Sequence, residues 1–256
     1  MRLDTRAAPR PTAALADQAA GLRRMFAHRG MRLLPVLVPA SRCEVRSAWL
    51  AALARGFARE GSRTLLIDGA RVQVAAALGL RARYDLLHAL RGECRDDAVL
   101  LDAAPGLAVM PAARALDEAA SSGASLAQLL GPRFLSARHW DLAMLLLPAA
   151  ASRLLPDGPV LVPAQPTRED VAAVLAEMRR ASEGANSRDF RLLLLGIAAG
   201  AGTTLTERIA AWMAMGSTAR ISHAGAALTA ADLARVVRLV ETWELPRLPR
   251  DTERCS

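Results

Sequence analysis

The 256-residue sequence predicts an α/β protein built on a doubly wound, mostly parallel sheet with helices on both faces. Three observations lead there. Short apolar runs alternate with amphipathic helical stretches. The runs are continuous rather than alternating, as in strands covered on both sides. Near the start, strand, helix and strand follow one another within about 35 residues, the length of one βαβ unit.

In that unit Leu33–Val38 reads as a strand, Val45–Glu60 as a helix ended by Gly61, and Thr64–Asp68 as a second strand. Further strands are expected at Leu107–Met110, Leu142–Leu147, Val160–Val162 and Arg191–Ile197, with helices at Arg168–Ala181, Leu205–Met215 and Ala230–Glu244. Ala119–Ser125 and Ser182–Ser187, rich in small and polar residues, read as mobile connections. Ahead of the first strand, Thr12 is an N-cap candidate, and Leu15, Ala19, Leu22 and Phe26 recur at helical spacing in a short amphipathic helix closing near Gly30. The chain thus divides into a basic arm and helix over 1–30, an α/β domain over 31–245 and a flexible tail over 246–256.

Composition narrows the class. A chain of this length buries roughly three quarters of its unfolded surface and needs no disulfide or metal staple. With 52% hydrophobic and 23% charged residues it is globular rather than disordered. The longest apolar stretch, Leu142–Ala151, is ten residues, too short for a bilayer, and no apolar run marks a signal peptide, so the expected location is cytoplasmic. Cys43, Cys94 and Cys255 form no CxxC pair, and His28, His88, His139 and His223 have no ligand spacing; plain thiols and ordinary surface or loop histidines are expected, with no metal site.

All 33 basic residues are arginine, so no reaction here can use a lysine. Residues 1–46 hold nine arginines against Asp4, Asp17 and Glu44, a balance of +6 out of the total +8. An arm of this kind suits nucleic acid, anionic lipid or an acidic protein face.

The segment Asp17-Gln18-Ala19-Ala20-Gly21-Leu22-Arg23-Arg24 resembles the DQAxGLR signature of the flagellar number regulators of the FlhG/FleN type, a branch of the MinD/ParA P-loop ATPases. Leu65-Leu66-Ile67-Asp68 is similar to that family's second strand. Leu78-Gly79-Leu80, Arg83 to Leu87 and Gly92 resemble its next segment, and Gly106-Leu107 to Ala113 its strand ending in a Pro-Ala turn. The resemblance runs in order over residues 15–245 and weakens after about residue 165.

At the chemistry the chain departs from the family. Its first strand leads into a KGGxGK[ST] loop, where glycine amides cradle phosphates, lysines neutralise them and a hydroxyl holds Mg²⁺. The corresponding stretch, Pro39 to Ser47, has no glycine and no lysine: Ser41 stands at the signature lysine, Arg46 at the P-loop lysine, and only Ser47 keeps its type. Side chains with a Cβ resist the φ > 0 of a phosphate nest, and arginine's planar fork cannot take an ammonium's place in a tight loop. Glu44 adds a like charge, costing on the order of 4 kcal/mol at 4 Å and an effective dielectric of 20. The family's switch aspartate and glycine correspond to Leu146 and Ala150, and its DxD-like pair is reduced to Asp68 with Ala70. Asp68 is expected as a strand-end carboxylate capping a neighbouring helix.

The resemblance therefore implies a pseudo-ATPase with a vestigial nucleotide site at Arg46, Ser47 and Asp68, no catalytic residue, and no cofactor beyond weak ATP and Mg²⁺ binding. The function it implies is regulation of flagellar number or placement by protein contact. In such regulators the N-terminal helix docks on FlhF, a signal-recognition-type GTPase, and stimulates it. Carried over, Asp17 and Gln18 are polar contacts near the partner's nucleotide, Gly21 permits close approach, Leu22 and Phe26 anchor in a groove and Arg23 pairs with acidic groups. Flagellar basal-body or transcriptional regulator proteins are further partners, and the inner membrane or cell pole a further location.

The stripe Leu233, Val236, Val237, Val240 and Trp243 fits a final core helix better than a membrane-contacting one. A weak nucleotide-binding switch or residual ATPase is the first alternative. A ParA-like DNA binder is the second, disfavoured because the excess charge lies on the arm.

Overall fold

The computed structural model describes residues 30–39, 44–135, 139–183, 188–215 and 217–249. The N-terminal helix expected over 12–30 lies outside them except at its last residue. Gly30 itself opens the first strand, beside the backbone of Leu248.

Among the described residues nine strands form one sheet: β1 (Gly30–Leu37), β2 (Thr64–Asp68), β3 (Leu101–Ala104), β4 (Leu107–Pro111), β5 (Leu142–Leu147), β6 (Pro159–Ala164), β7 (Asp189–Leu195), β8 (Arg220–Ala227) and β9 (Arg247–Pro249). The order is β3-β4-β2-β5-β1-β6-β7-β8, parallel except for the β3–β4 hairpin and for β9, which pairs antiparallel with β1. Strand β1 is central. From Arg32 to Leu37 it pairs with β5, while its other side is shared by β9 at Gly30–Arg32 and β6 at Val36. The first residues after 245, expected as tail, therefore contribute a strand.

The helices among the described residues are α1 (Glu44–Arg59), α2 (Val74–Ala77), α3 (Leu86–Leu90), α4 (Ala113–Ser122), α5 (Leu126–Leu135), α6 (Arg168–Ser182), α7 (Ala199–Ala214) and α8 (Leu233–Glu241), with 3₁₀ turns at Asp96–Val99, Ala149–Leu154 and Ala230–Asp232. Every residue of β2, β5 and β6 is buried, as continuous apolar strands require. Alternation then sorts side chains between two cores. Leu33, Leu37, Ala143, Leu145 and Leu147 face α3 to α7; Leu34, Val36, Val38, Met144 and Leu146 face α1, α2 and α8.

The stripe Leu233, Val236, Val237 and Val240 of α8 is turned inward against α1, so the core reading of this helix holds. Gly56 makes that packing possible, since a Cβ there would lie 2.9 Å from Val237 Cγ2. No described helix is long and apolar enough to cross a membrane.

Three expectations need correction. Ala119–Ser122, read as a loop, is the last turn of α4, which ends at Gly123 in the left-handed conformation. Helix α7 begins at Ala199 rather than Leu205, because its glycines sit at the start, where Gly202 lets the helix approach Ala226 of β8. His88 is no idle surface histidine: with Asp85 it forms the capping box of α3. His223 shares a 2.9 Å hydrogen bond with Thr206 of α7, and burial holds its imidazole below the usual value. Residues 184–187 of the second expected loop lie outside the described set.

Gly69 follows β2 where a Cβ would lie 2.3 Å from Leu116 Cδ1 and 2.7 Å from the Leu146 carbonyl oxygen. Gly69→Ala is expected to lower stability by about 1–3 kcal/mol, measured as a drop in the urea midpoint.

Candidate functional site

In an open α/β sheet the carboxyl ends of the strands face a crevice where successive connections leave in opposite directions. Here that point lies at β1. The chain leaves β1 through α1 toward β2 on one side, and later enters β6 on the other side before continuing through α6 to β7. The first turns of α1 and α6 therefore meet over the carboxyl ends of β1 and β6. Residues 40–43, which include Ser41, lie outside the described residues.

In α1, Val45 stays exposed, while Arg46 and Ser47 turn inward and are buried at 1% and 5% exposure. The Arg46 guanidinium forms an ion pair with Asp170, on the first turn of α6. Asp170 is held in turn. Its Oδ2 accepts the Gln165 backbone N–H at 2.7 Å, and its own N–H donates to the Oγ1 of Thr167, the N-cap of α6. The carboxylate thus lies between the N-terminal ends of two helices, where partial positive charge favours an anion. Arg46 is the largest side chain among the most deeply buried residues, and its charge is answered from within the chain.

A second carboxylate on the same face of α6 performs a similar task. Glu177 is buried and accepts the Ala149 backbone N–H at 2.7 Å, in the turn after β5, and also receives Arg180 at 3.0 Å. Pro148 and Ala149 are the residues of this turn that match the switch pattern of the resembling family. Leu146, where the family's aspartate would stand, is fully buried in the α1-side core.

Asp68 ends β2, two strands from β1 across β5. Its carboxylate accepts the backbone N–H groups of Val72 and Val74, each at 3.3 Å, so it ties the loop that enters α2. The capping role expected for it is met. Burial pushes this carboxyl above its usual value, against the pull of the Val74, Val72, Gln73 and Ala70 amides. The loop contains Arg71 and Gln73 at φ of 56° and 60°, among the described residues the non-glycine positions in the left-handed region. They line a cleft of about 360 Å³ with Asp68, Asp85 and Leu80.

Of the sequence-derived site residues, Arg46 and Ser47 stand together and Asp68 is committed to its own loop. Asp17, Gln18, Gly21, Leu22, Arg23 and Phe26 lie outside the described residues. Asp170 and Glu177 were missed. The signal was present: they are the two acids on a helix face otherwise made of Val171, Val174, Met178 and Ala181, and a carboxylate on a buried face needs a partner. No group of three or more metal-ligating side chains occurs among the described residues.

Two outcomes follow from this geometry. Asp170→Ala leaves a buried guanidinium without its anion and is expected to cost roughly 3–5 kcal/mol, while the paired change Arg46→Met with Asp170→Leu recovers most of it in urea unfolding. For Asp68, a folded-state value above the unfolded one means that the native state binds the extra proton. Stability from this group is full below pH 3.8 and is lost as pH rises through the elevated native value. Asp68→Asn should therefore gain on wild type between pH 4 and pH 7 in paired denaturation curves; an unchanged difference refutes the assignment.

No protein-family model and no curated protein matches the sequence. Solved structures do match the fold. The MinD cell division protein of Aquifex aeolicus superposes with a TM-score of 0.59 at 13% identity, covering 84% of this chain and 99% of that one. McdA of Cyanothece, in a complex with ATP, gives 0.54 at 16% identity over 83% and 90%. A plasmid partition protein of Borrelia burgdorferi gives 0.51 at 11% identity over 81% and 98%. At such identities the likeness concerns architecture: the chain has the fold of the MinD/ParA-type P-loop ATPases.

Proposed function

We propose that this protein is a non-catalytic MinD-like regulator acting by protein contact. The observation that carries this reading is the ion pair of Arg46 with Asp170. The residue at the position of the phosphate-binding lysine is sealed from solvent and its charge is already met by a carboxylate of α6. Phosphoryl transfer is mostly positioning and charge stabilisation. A site whose cation is committed inward, whose switch aspartate is Leu146 and whose loop lacks glycine has neither.

What remains is surface. The Asp17 to Arg24 segment, similar to the signature of FlhG/FleN regulators, supplies the contact: Leu22 and Phe26 as apolar anchors, Asp17, Gln18 and Arg23 as polar contacts, and Gly21 as the point of close approach. The partner class is a signal-recognition-type GTPase of the FlhF kind, and the process is flagellar number or placement. The excess positive charge on residues 1–46 supports contact with an acidic protein face.

The test is single-turnover GTP hydrolysis by such a GTPase. Wild-type protein is expected to stimulate it equally with and without ATP, and the Gln18→Ala, Leu22→Asp double variant to lose most of the stimulation. ATP alone should be hydrolysed at the buffer rate. Stimulation that appears only with ATP favours a nucleotide switch, and absence of stimulation under both conditions removes the activator segment.

A further inference from the structure

Among the described residues three charged side chains are buried: Arg46, Glu177 and Asp68. Arg46 is paired with Asp170 and Glu177 with Arg180. Asp68 is the exception. It is 8% exposed, its partners are the backbone amides of Val72 and Val74, and no basic side chain of the described residues forms an ion pair with it. A carboxylate withdrawn from water normally has an opposite charge beside it. Beside Asp68 there is instead a cleft of about 360 Å³, within the size range of small-molecule sites.

This cleft lies at the carboxyl ends of β2 and β4, and β5 separates it from β1. Its lining is of two kinds. Asp68 and Asp85 bring carboxylates, one from the end of β2 and one from the N-cap of α3. Leu80, Pro111, Ala75, Ala76 and Ala82 bring apolar surface. Arg71 is the basic side chain among the described lining residues, and it is paired with Asp117 of α4, which is not in the lining. Asp85 directs its oxygens to the amides of Leu87 and Arg114. Excess negative charge thus stands next to an apolar wall. Gln73, held at a left-handed φ of 60°, adds an amide side chain that makes no capping bond to α2.

We propose that this cleft binds a small organic cation, a primary ammonium on a compact apolar body, with the ammonium against the Asp68 carboxylate and the body on Leu80 and Pro111. The ligand supplies the positive charge that the fold does not. Burial, the largest influence on the Asp68 carboxyl, holds it above its usual value, and a cation in the cleft opposes that effect. A hard divalent ion fits this lining less well, because it asks for six or more oxygen ligands and the surface here is largely apolar. The inference goes beyond the contact reading and does not rest on it.

The experiment is calorimetric titration of the full chain with benzylamine, phenethylamine and cyclohexylamine, each beside its neutral alcohol counterpart, at about pH 8, where the carboxylates are ionised and such amines are still protonated. At least one amine is expected to bind with a dissociation constant of about 1 mM or tighter, as suits a ligand of this size. Its alcohol should bind roughly tenfold more weakly or worse, because the charge-assisted hydrogen bond is lost. Asp68→Asn should lose the preference for amine over alcohol. Ala76→Trp, which places a large ring at an exposed lining position of α2, should abolish binding of both while leaving the urea midpoint nearly unchanged. Equal binding of amine and alcohol by wild type, unchanged amine binding in either variant, or no saturable binding of any amine below about 10 mM overturns the proposal. Competition by Mg²⁺ at equal concentration identifies a metal site and overturns it as well. Stimulation of a GTPase, the test of the contact reading, is a separate measurement, so either can fail alone.

Discussion

A guanidinium removed from water must find an anion, and much of the geometry at the carboxyl end of this sheet follows from how Arg46 finds one. The partner comes from α6, on the far side of β1, so the ion pair links the two helices that leave the central strands in opposite directions. For Asp170 to reach it, the turn after β6 must be tight. Thr167 caps α6 and Gln165 donates to the same carboxylate, so the helix start and the ion pair fix one another. Such a pair is weak as a source of stability compared with apolar packing, because both charges lose hydration. Its value is positional: breaking it leaves an uncompensated charge, so alternative placements of α1 against α6 are excluded.

The same economy appears at Glu177 and Asp68. Each buried carboxylate spends its acceptors on backbone N–H groups of a turn at the carboxyl end of a strand, Ala149 after β5 and Val72 and Val74 after β2. In this chain Asp170 faces Arg46, Glu177 the turn after β5 and Asp68 its own loop. The chain's excess positive charge lies instead on residues 1–46, and the remaining residues are close to neutral.

The sheet beneath these contacts depends on apolar burial on both faces. Strand β1 sends Leu33 and Leu37 to one core and Leu34, Val36 and Val38 to the other, and β5 divides its residues likewise. Close approach at Gly56 lets α8 lie on α1, which explains why its strongly apolar stripe is spent on the interior. Trp243, just beyond that helix, is buried beneath the Arg191 guanidinium, 4.3 Å from the ring centre, and closes the same core.

Local sequence determined the elements whose burial is uniform: β2 and β5 have the expected bounds, and α1 and α6 differ by a residue or so, because a continuous apolar run or a capped amphipathic stretch carries its own signal. It also determined that the loop after β1 lacks the glycine and lysine of a phosphate nest, and that Asp68 would cap a neighbouring helix, whose first N–H, at Val74, it accepts. Strands β3, β8 and β9 were not legible. Arg220–Ala227 contains Gly225 and His223 and lacks a continuous apolar run, and becomes a strand because β7 pairs with it. Likewise Arg247–Pro249 is a strand only because β1 offers a free side there. The partner of Arg46 was beyond any local reading, since Asp170 lies 124 residues away and its carboxylate is directed at Arg46 by the crossing of the chain from one side of β1 to the other. Residue type fixed that a buried arginine would need an anion; only the tertiary structure decided that the anion would be the protein's own.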